Sequence, residues 1–196
     1  NMRVAMPSCA ASYHHLLRAQ ALDPDRKPLI VMTTKSLLRQ KMAGATLSEL
    51  SDQSFRAVID DDAIEKPSAV KRVVVCSGKV YYDLLEEREQ RGLDHVHLVR
   101  VEQLYPFPSI ALAEEMESFK HCEFVWCQEE PKNMGAWTHV DPYIEEVLEQ
   151  VGAPAGRAGY AGRAAAASPA TGSGSLHKKQ QTALVEAALV GPVKRR

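Results

Sequence analysis

The 196-residue sequence has no long apolar run, no closely paired cysteines and almost no net charge. No hydrophobic stretch approaches the roughly 18 residues that a membrane-spanning helix needs, which excludes an integral membrane protein. The 24 lysine and arginine residues are balanced by 25 aspartate and glutamate residues. This balance argues against a general nucleic-acid binder, because such proteins carry a positive excess. The first residues also lack the apolar segment of a signal peptide.

Cysteine is scarce and widely spaced. The four cysteines are Cys9, Cys76, Cys122 and Cys127. A disulfide scaffold would use more cysteine in a shorter chain, and a zinc site would show Cys-x-x-Cys spacing. We therefore predict four reduced structural thiols and a reducing compartment.

Phosphate- and dinucleotide-binding loops are also missing. No Gly-x-Gly-x-x-Gly motif follows a predicted strand, so nothing supports a Rossmann-type dinucleotide site. The segment 77–79, Ser-Gly-Lys, lies at a predicted strand-to-helix turn, where free backbone N–H groups can bind phosphate. The upstream glycine of the full phosphate loop is absent, and we interpret this tripeptide as a plain turn.

Candidate metal and acid–base groups form no convincing catalytic constellation. The acidic run 60–62 is predicted to be a solvated turn, because three neighbouring carboxylates rarely converge on one ion. His95 and His97 share one predicted strand face without an acidic or cysteine partner at ligand spacing. The segment 128–130, Gln-Glu-Glu, follows a predicted strand, where α/β proteins place function, but exposed glutamate pairs are seldom bases. We assign no catalytic, cofactor-binding or metal-binding residue.

The clearest secondary-structure pattern lies in residues 71–151. Short β-branched and apolar runs at 72–76, 96–101 and 123–127 are predicted strands, and amphipathic stretches separate them. Strands separated by helices favour parallel pairing through right-handed crossovers. The Asp-Pro pair at 141–142 is predicted to open a further helix. The sequence therefore predicts a three-layer α/β domain with a mainly parallel sheet.

The N-terminal residues are predicted to be the tail of another α/β unit. Strands are expected at 2–6 and 29–32, the second one buried on both sides, with a helix between them that Ser8 caps. The predicted buried face of this helix consists of Tyr13, Leu17 and Ala21. These elements are too few to form a domain by themselves.

Two segments are predicted to connect the regular elements. Residues 41–70 are interpreted as a linker that drapes over its neighbours. Residues 152–175 hold six of the eleven glycines, which is typical of a flexible connection. A last helix is predicted at 177–190, with Leu184, Val185, Ala188 and Leu189 on its apolar face.

Seven stretches together resemble the C-terminal part of the thiamine-diphosphate-dependent first component of the 2-oxoglutarate dehydrogenase complex. They occur in order and at the expected spacing, and the likeness runs from about residue 1 to about residue 190. The stretches are Arg26 to Val31, Lys35 to Arg39, Cys76 to Leu84, Val101 to Pro108, Trp126 to Gly135, Tyr160 to Arg163 and Ser168 to Gly172.

The resemblance implies a division of the chain into parts. Residues 1–40 would be the end of a pyrimidine-binding domain, and 41–70 a linker. Residues 71–191 would form a transketolase C-terminal-like domain, in which 152–175 is an irregular packed loop, and 192–196 would be a tail. This revises the compositional reading of 152–175 as a flexible connection.

The resemblance also implies a parent reaction that this segment does not catalyse alone. In the family, 2-oxoglutarate is decarboxylated and a succinyl unit passes to a lipoyl group in the citric acid cycle, with the cofactor supplying the carbanion chemistry. Thiamine diphosphate and magnesium are held by an earlier domain, and we expect neither to bind to this segment. The implied location is the bacterial cytoplasm or the mitochondrial matrix.

The partners implied by the resemblance are upstream domains of the same enzyme, a homodimer mate and the lipoyl-bearing succinyltransferase component. An acetyl-CoA or AMP effector is implied near the junction of the two domains. The residues that would contact its phosphate, with a solvated basic face as the alternative, are Arg18, Lys35 and Arg39. The residues that would contact other domains or the dimer mate, with core packing as the alternative, are Trp126, Trp137, Tyr143, Tyr160 and Arg163.

Two alternatives remain open at this point. One is a different thiamine enzyme, such as pyruvate dehydrogenase or transketolase, which the strings at 35–39 and 126–130 disfavour. The other is a stand-alone α/β nucleotide-binding regulatory module. A module should be monodisperse and bind its ligand alone, whereas a piece of a larger assembly should expose apolar patches.

Overall fold

The computed structural model describes residues 1–61, 64 and 66–192. The strands in this part of the chain are β1 (Arg3–Ala5), β2 (Leu29–Val31), β3 (Val58–Ile59), β4 (Arg72–Cys76), β5 (Val96–Val101), β6 (Gln103–Tyr105), β7 (Glu123–Pro131) and β8 (Gly159–Arg163). The α-helices are α1 (Ala10–Leu22), α2 (Leu47–Ser51), α3 (Val80–Arg91), α4 (Ser109–Met116), α5 (Trp137–Gln150) and α6 (Gly174–Leu189). Short 3-10 helices lie at Lys35–Arg39, Lys41–Ala43, Pro67–Ala69 and Glu117–Phe119.

The main sheet has five strands in the order β3-β5-β4-β7-β8, and only β3 is antiparallel to its neighbour. The central strand β4 pairs with β5 on one side and with β7 on the other, so that Cys76 lies level with both Arg100 and Cys127. The three strands predicted for this region are confirmed, and so is their parallel pairing.

Helices cover both faces of this sheet. Alternate residues of β4 point to opposite sides, and all five are buried. Val73 and Val75 pack with α4 and α5, whereas Val74 and Cys76 pack with α3 and α6. The predicted three-layer α/β architecture is therefore confirmed. None of the helices in the described ranges is long and apolar enough to cross a membrane.

A second, three-stranded sheet joins the N-terminal residues to this domain. Its order is β2-β1-β6, with β1 parallel to β2 and antiparallel to β6. Because β6 follows β5 almost directly in the chain, this pairing fixes the N-terminal strand beside the end of the main sheet. The prediction that the second strand is buried on both sides is wrong, since Ile30 at its centre is 45% exposed.

Helix α1 differs from its prediction in both its cap and its buried face. The side chain of Cys9, not that of Ser8, accepts the N–H of Ser12 at the helix start, at 3.5 Å. The predicted buried side chains Tyr13 and Leu17 are 41% and 43% exposed. The helix instead buries Ala11, Ser12, His15 and Leu16.

Helix α5 begins at Trp137, five residues before Pro142, the predicted first helical residue, which lies inside the helix. The helix starts there because the side-chain oxygen of Gln128 accepts the backbone N–H of Trp137 at 2.9 Å. That acceptor comes from β7, nine residues earlier in the chain. The Asp-Pro signal predicted the helix correctly but its beginning incorrectly.

The segment 41–70 contains α2 and the edge strand β3 as well as irregular chain. The prediction of a solvated acidic turn is wrong for Asp61, which is buried and forms an ion pair with the buried Arg88 of α3. A buried guanidinium requires such a partner, because an unpaired buried charge is strongly unfavourable. Asp62 lies outside the described residues.

The glycine-rich segment is partly regular. Strand β8 forms the edge of the main sheet, so the prediction of an irregular loop is wrong for Gly159–Arg163. Gly162 is required there, since a Cβ would lie 2.9 Å from the carbonyl oxygen of Gln128. Residues 164–170 are exposed. Helix α6 starts three residues before its prediction, with Ser173 as the cap, and the predicted apolar face is confirmed.

Candidate functional site

A cavity of about 660 Å3 lies where α1 meets the segment that follows β2. Its lining includes Ser8 just before α1, Tyr13 and His14 from the first turns of α1, and Lys35 and Leu38 from the first 3-10 helix. The walls thus combine aromatic and aliphatic surface with an amino group, a hydroxyl and an imidazole. This composition suits a ligand that has both a flat or apolar part and a negatively charged part.

Ser8 connects this cavity to the main domain. It is completely buried, and three side chains of the main domain contact its polar groups. The Tyr82 hydroxyl donates to the Ser8 carbonyl at 2.8 Å, and the Arg100 guanidinium donates to the Ser8 hydroxyl at 3.0 Å. The Glu102 carboxylate accepts the Ser8 N–H at 2.7 Å. This use of Ser8 explains why it does not cap α1.

Glu102 is the central buried charge of this contact. The same carboxylate oxygen also accepts the Ser12 hydroxyl at 2.6 Å, and the side chain has no exposed surface. A carboxylate beside the first turn of α1 is stabilised by the free N–H groups and the positive end of the helix dipole. Glu102 therefore anchors the beginning of α1 to the end of β5.

Arg100 compensates this charge from the same side of β5. Burial opposes the charge on Arg100, but Glu102 and the nearby Tyr81 outweigh that effect and raise the pKa of the guanidinium. The guanidinium carbon lies 4.2 Å from the centre of the Tyr81 ring, within the range of a cation–π interaction. Burial raises the pKa of the Tyr82 hydroxyl, which keeps it protonated as a donor. Ser8, Arg100 and Glu102 therefore form a structural polar contact, called the latch below, and not an acid–base site.

The structure brings one of the three predicted phosphate contacts to the cavity. Lys35 lines it, at the start of the first 3-10 helix. Arg18 is exposed on the turn of α1 that follows His14, on the same helix face. Arg39 is exposed at the end of the 3-10 helix. Neither arginine is among the cavity-lining residues.

The predicted interface residues divide into buried and partly exposed groups. Trp126 and Trp137 are 0% and 7% exposed, so both pack inside the chain, and the Trp126 indole donates to Gln128 at 3.1 Å. Tyr143, Tyr160 and Arg163 are partly exposed. Their neighbours are Phe107 stacked on Tyr143, Lys132 over the Tyr160 ring, and His177 and Gln181 at the Arg163 guanidinium.

The motifs that sequence analysis set aside have structural partners. Lys79, in the incomplete phosphate loop, forms an ion pair with Glu129, so that neither group is available for a ligand. His97 is buried, with its Nε2 atom 2.9 Å from Asp60, and burial lowers its pKa. Within the described ranges, no group of three His, Cys, Asp or Glu side chains is arranged to hold a metal ion.

All four cysteines are free, as predicted. Cys76 and Cys127 lie side by side on β4 and β7 and have no exposed surface. Burial raises the pKa of the Cys76 thiol to about 12 and that of Cys122 to about 11. Thiols with such pKa values are poor nucleophiles near neutral pH, which supports a structural role.

The latch of Ser8, Arg100 and Glu102 was not predicted. One signal was present in the sequence, because the charged residues Arg100 and Glu102 lie within and directly after a mainly apolar strand. A charged residue directly after a buried strand is compatible with ordinary exposure, and only the N-terminal segment packed against it makes the charge buried. The partner lies 94 residues away in the chain.

The fold is that of a transketolase-like α/β domain. A solved structure described as "Split gene transketolase, inactive beta4 tetramer" matches with a TM-score of 0.61 at 17% sequence identity, covering 100% of this chain and 59% of that one. A family model described as "2-oxoglutarate dehydrogenase C-terminal" matches residues 44–189. The chain therefore belongs to the 2-oxoglutarate dehydrogenase C-terminal family.

Curated bacterial proteins are similar over nearly the whole chain. The "2-oxoglutarate dehydrogenase E1 component" of Brucella anthropi and that of Brucella ovis are each 56% identical over 199 aligned positions. The match covers 96% of this chain and 20% of each relative. The chain thus spans about a fifth of the length of these relatives and corresponds to a C-terminal region.

Proposed function

We propose that this chain is the assembly and regulatory region of an oxoglutarate dehydrogenase (succinyl-transferring). Residues 1–40 would complete a pyrimidine-binding domain, and residues 71–191 would support it. The parent enzyme would decarboxylate 2-oxoglutarate and transfer the succinyl unit to a lipoyl group in the cytoplasm of a bacterium. The 56% sequence identity to the Brucella E1 components, in an alignment that covers 96% of the chain, supports this proposal.

Thiamine diphosphate would supply the carbanion chemistry of this reaction. Among the described residues, no group of three His, Cys, Asp or Glu side chains is arranged to hold the cofactor's metal. We propose that an earlier domain of the parent enzyme holds thiamine diphosphate and magnesium, and we assign no chemical step to the residues of this chain.

The regulatory part of the proposal is carried by the cavity between α1 and the first 3-10 helix. An effector with a phosphate and an adenine ring, such as acetyl-CoA or AMP, would place its phosphate at Lys35 and its ring near Tyr13 and His14. These side chains line one cavity of about 660 Å3. Arg18 and Arg39 would add positive charge at the rim. Ser8, a lining residue bound to Arg100 and Glu102, would transmit the binding to the main domain.

Calorimetric titration of the parent protein with acetyl-CoA and with AMP tests the effector site. We expect Lys35→Gln to weaken about tenfold the binding of whichever of the two effectors the wild type binds. A hydrogen bond to a charged group contributes about 1.5–3 kcal/mol. Lys178→Gln, an equal charge change at an exposed position of α6, should leave affinity unchanged. Equal affinity of the wild type and Lys35→Gln would reject the effector site.

The proposed partners are the upstream domains, a homodimer mate and the lipoyl-bearing succinyltransferase component. The partly exposed Tyr143, Tyr160 and Arg163 are the side chains that could contact them directly. Trp126 and Trp137 would act indirectly, by holding the core on which these residues are mounted.

A further inference from the structure

A second cavity, of about 380 Å3, lies at the carboxyl ends of β4 and β7. The chain leaves β4 for β5 on one side of the sheet and later reaches β7 on the other. A crevice forms where the strand order reverses in this way, and open α/β sheets bind ligands there. This cavity is separate from the one assigned to the effector, with which it shares no lining residue.

The walls of this cavity are mainly apolar. Trp126 and Leu104 contribute from the main domain, and Val4, Met6 and Met32 contribute from the N-terminal segment. Gly78 allows this closure, because a Cβ at that position would overlap the end of the Met6 side chain. The volume falls within the roughly 300–1,000 Å3 range of small-molecule sites.

Two polar side chains at the cavity, Ser77 and His139, are engaged with main-chain carbonyl oxygens, and Tyr105, which carries a hydroxyl, also lines it. The Ser77 hydroxyl donates its hydrogen to the Val101 carbonyl at 2.8 Å and keeps only lone pairs for a ligand. The His139 Nε2 atom lies 2.9 Å from the carbonyl oxygen of Leu104. A carbonyl oxygen cannot donate, so the His139 Nε2 atom carries the hydrogen of this hydrogen bond.

Glu130 adds a negative charge to this set. It lines the cavity, and among the residues that the structure describes none donates a hydrogen bond to its carboxylate. Lys79, on the neighbouring turn, is occupied by Glu129. The surrounding segment 101–151 contains eleven acidic residues and two basic ones. The site therefore favours a ligand that is a donor and a cation.

We propose that this cavity binds a small organic amine, with its apolar body against Leu104, Met32 and Trp126 and its ammonium group at Glu130. Aromatic and thioether surface suits a flat hydrocarbon body, and a carboxylate forms its strongest hydrogen bonds with a charged donor. The proposal is independent of the effector site, because Lys35 takes no part in it.

Calorimetric titration of the parent protein with 2-phenylethylammonium tests this proposal. Two probes of similar shape, neutral 2-phenylethanol and anionic 3-phenylpropanoate, serve as comparisons. We expect the amine to bind at least tenfold more tightly than either, because only the amine forms an ion pair with Glu130. No saturable binding of the amine up to about 10 mM, or equal binding of the anion, would overturn the proposal.

Variants assign the binding to this cavity. Glu130→Gln should weaken binding of the amine about tenfold or more and leave binding of the alcohol unchanged. Glu146→Gln makes the same charge change at an exposed position of α5 outside the cavity and should have no effect. Met32→Trp replaces a 48% exposed lining side chain with a larger one and should weaken binding of all three probes.

The fold of each variant is checked by its melting temperature and circular dichroism. Because Glu130 and Met32 are both partly exposed, we expect the variants to fold. Unchanged amine affinity in Glu130→Gln contradicts the assignment, and so does unchanged affinity in Met32→Trp.

Discussion

Residues 1–44 and residues 71–192 are held in place by different forces. Of thirteen large apolar side chains that are exposed in the described chain, eight belong to residues 1–44. In the main domain, by contrast, every residue of the central strand β4 is buried between two helical layers. The N-terminal segment is fixed by β-sheet pairing and by the polar latch at Ser8, whereas the main domain is fixed by its apolar core.

This difference indicates how each region contributes to a larger protein. The eight exposed large apolar side chains of residues 1–44 are available for contact with further polypeptide. A domain with two continuous apolar layers is stable through its own packing. The latch of Ser8, Arg100 and Glu102 joins the two regions. Its removal should therefore destabilise the N-terminal segment more than the main domain.

The largest expected effect comes from the core of the main domain. Leu98→Ala should lower the free energy of unfolding by about 3 kcal/mol, because Leu98 is completely buried and the change leaves a cavity. Leu38→Ala, at a side chain that is 88% exposed, should change it by less than about 0.5 kcal/mol. Urea denaturation measures both values, and equal losses would refute the contrast between the regions.

A medium effect is expected at the latch. Glu102→Gln should lower the free energy that holds α1 on the main domain by about 1.5–3 kcal/mol, because the charged acceptor of the Ser8 N–H and the Ser12 hydroxyl is lost. The loss should be local, so hydrogen exchange should accelerate in α1 and stay slow in β4. Glu114→Gln, an equal charge change at an exposed position of α4, is the control. Uniform acceleration across both elements would contradict a latch.

The smallest expected effect is a pH dependence from His97. Burial lowers the pKa of this imidazole below its ordinary value of 6.5, so the unfolded chain binds a proton more readily than the folded one. The contribution of the neutral His97 to the free energy of unfolding is therefore fully present above about pH 6.5. It decreases as the pH falls toward the folded-state pKa. When the pH is lowered from about 7.5 to about 5.5, the free energy of unfolding of the wild type should fall. In His97→Gln this fall should be smaller by up to about 1 kcal/mol.

The control for this prediction is His14→Gln, since His14 is exposed. We expect its urea midpoints to follow those of the wild type at both pH values. Identical pH dependence of the wild type and His97→Gln would show that the buried imidazole contributes nothing.

The sequence was a good guide where a local pattern determines structure. The β-branched run of β4 predicted a buried parallel strand, and the apolar face of α6 was predicted residue by residue. The same reasoning placed Tyr13 and Leu17 of α1 inside, although they are 41% and 43% exposed. Helical periodicity identifies an apolar face but does not say whether this part of the chain covers it.

Composition was a weaker guide than pattern. It treated the glycine-rich segment as a connection, although β8 lies within it and pairs with β7. Gly162 is in that strand because the backbone of Gln128 approaches it closely, a requirement of packing that composition does not reveal. Of the three predicted phosphate contacts, the structure brought Lys35 to the cavity.

The amino-acid sequence by itself determined the alternation of strands and helices and the absence of disulfides, because these depend on short-range periodicity and on residue type. The tertiary structure decided that the Ser8 N–H donates to Glu102 and that Asp61 is buried in an ion pair with Arg88. It also decided that α5 begins at Trp137, whose N–H donates to the Gln128 side chain. Such contacts join groups that are distant in the chain. A charged group can be buried only where the fold brings a partner to it.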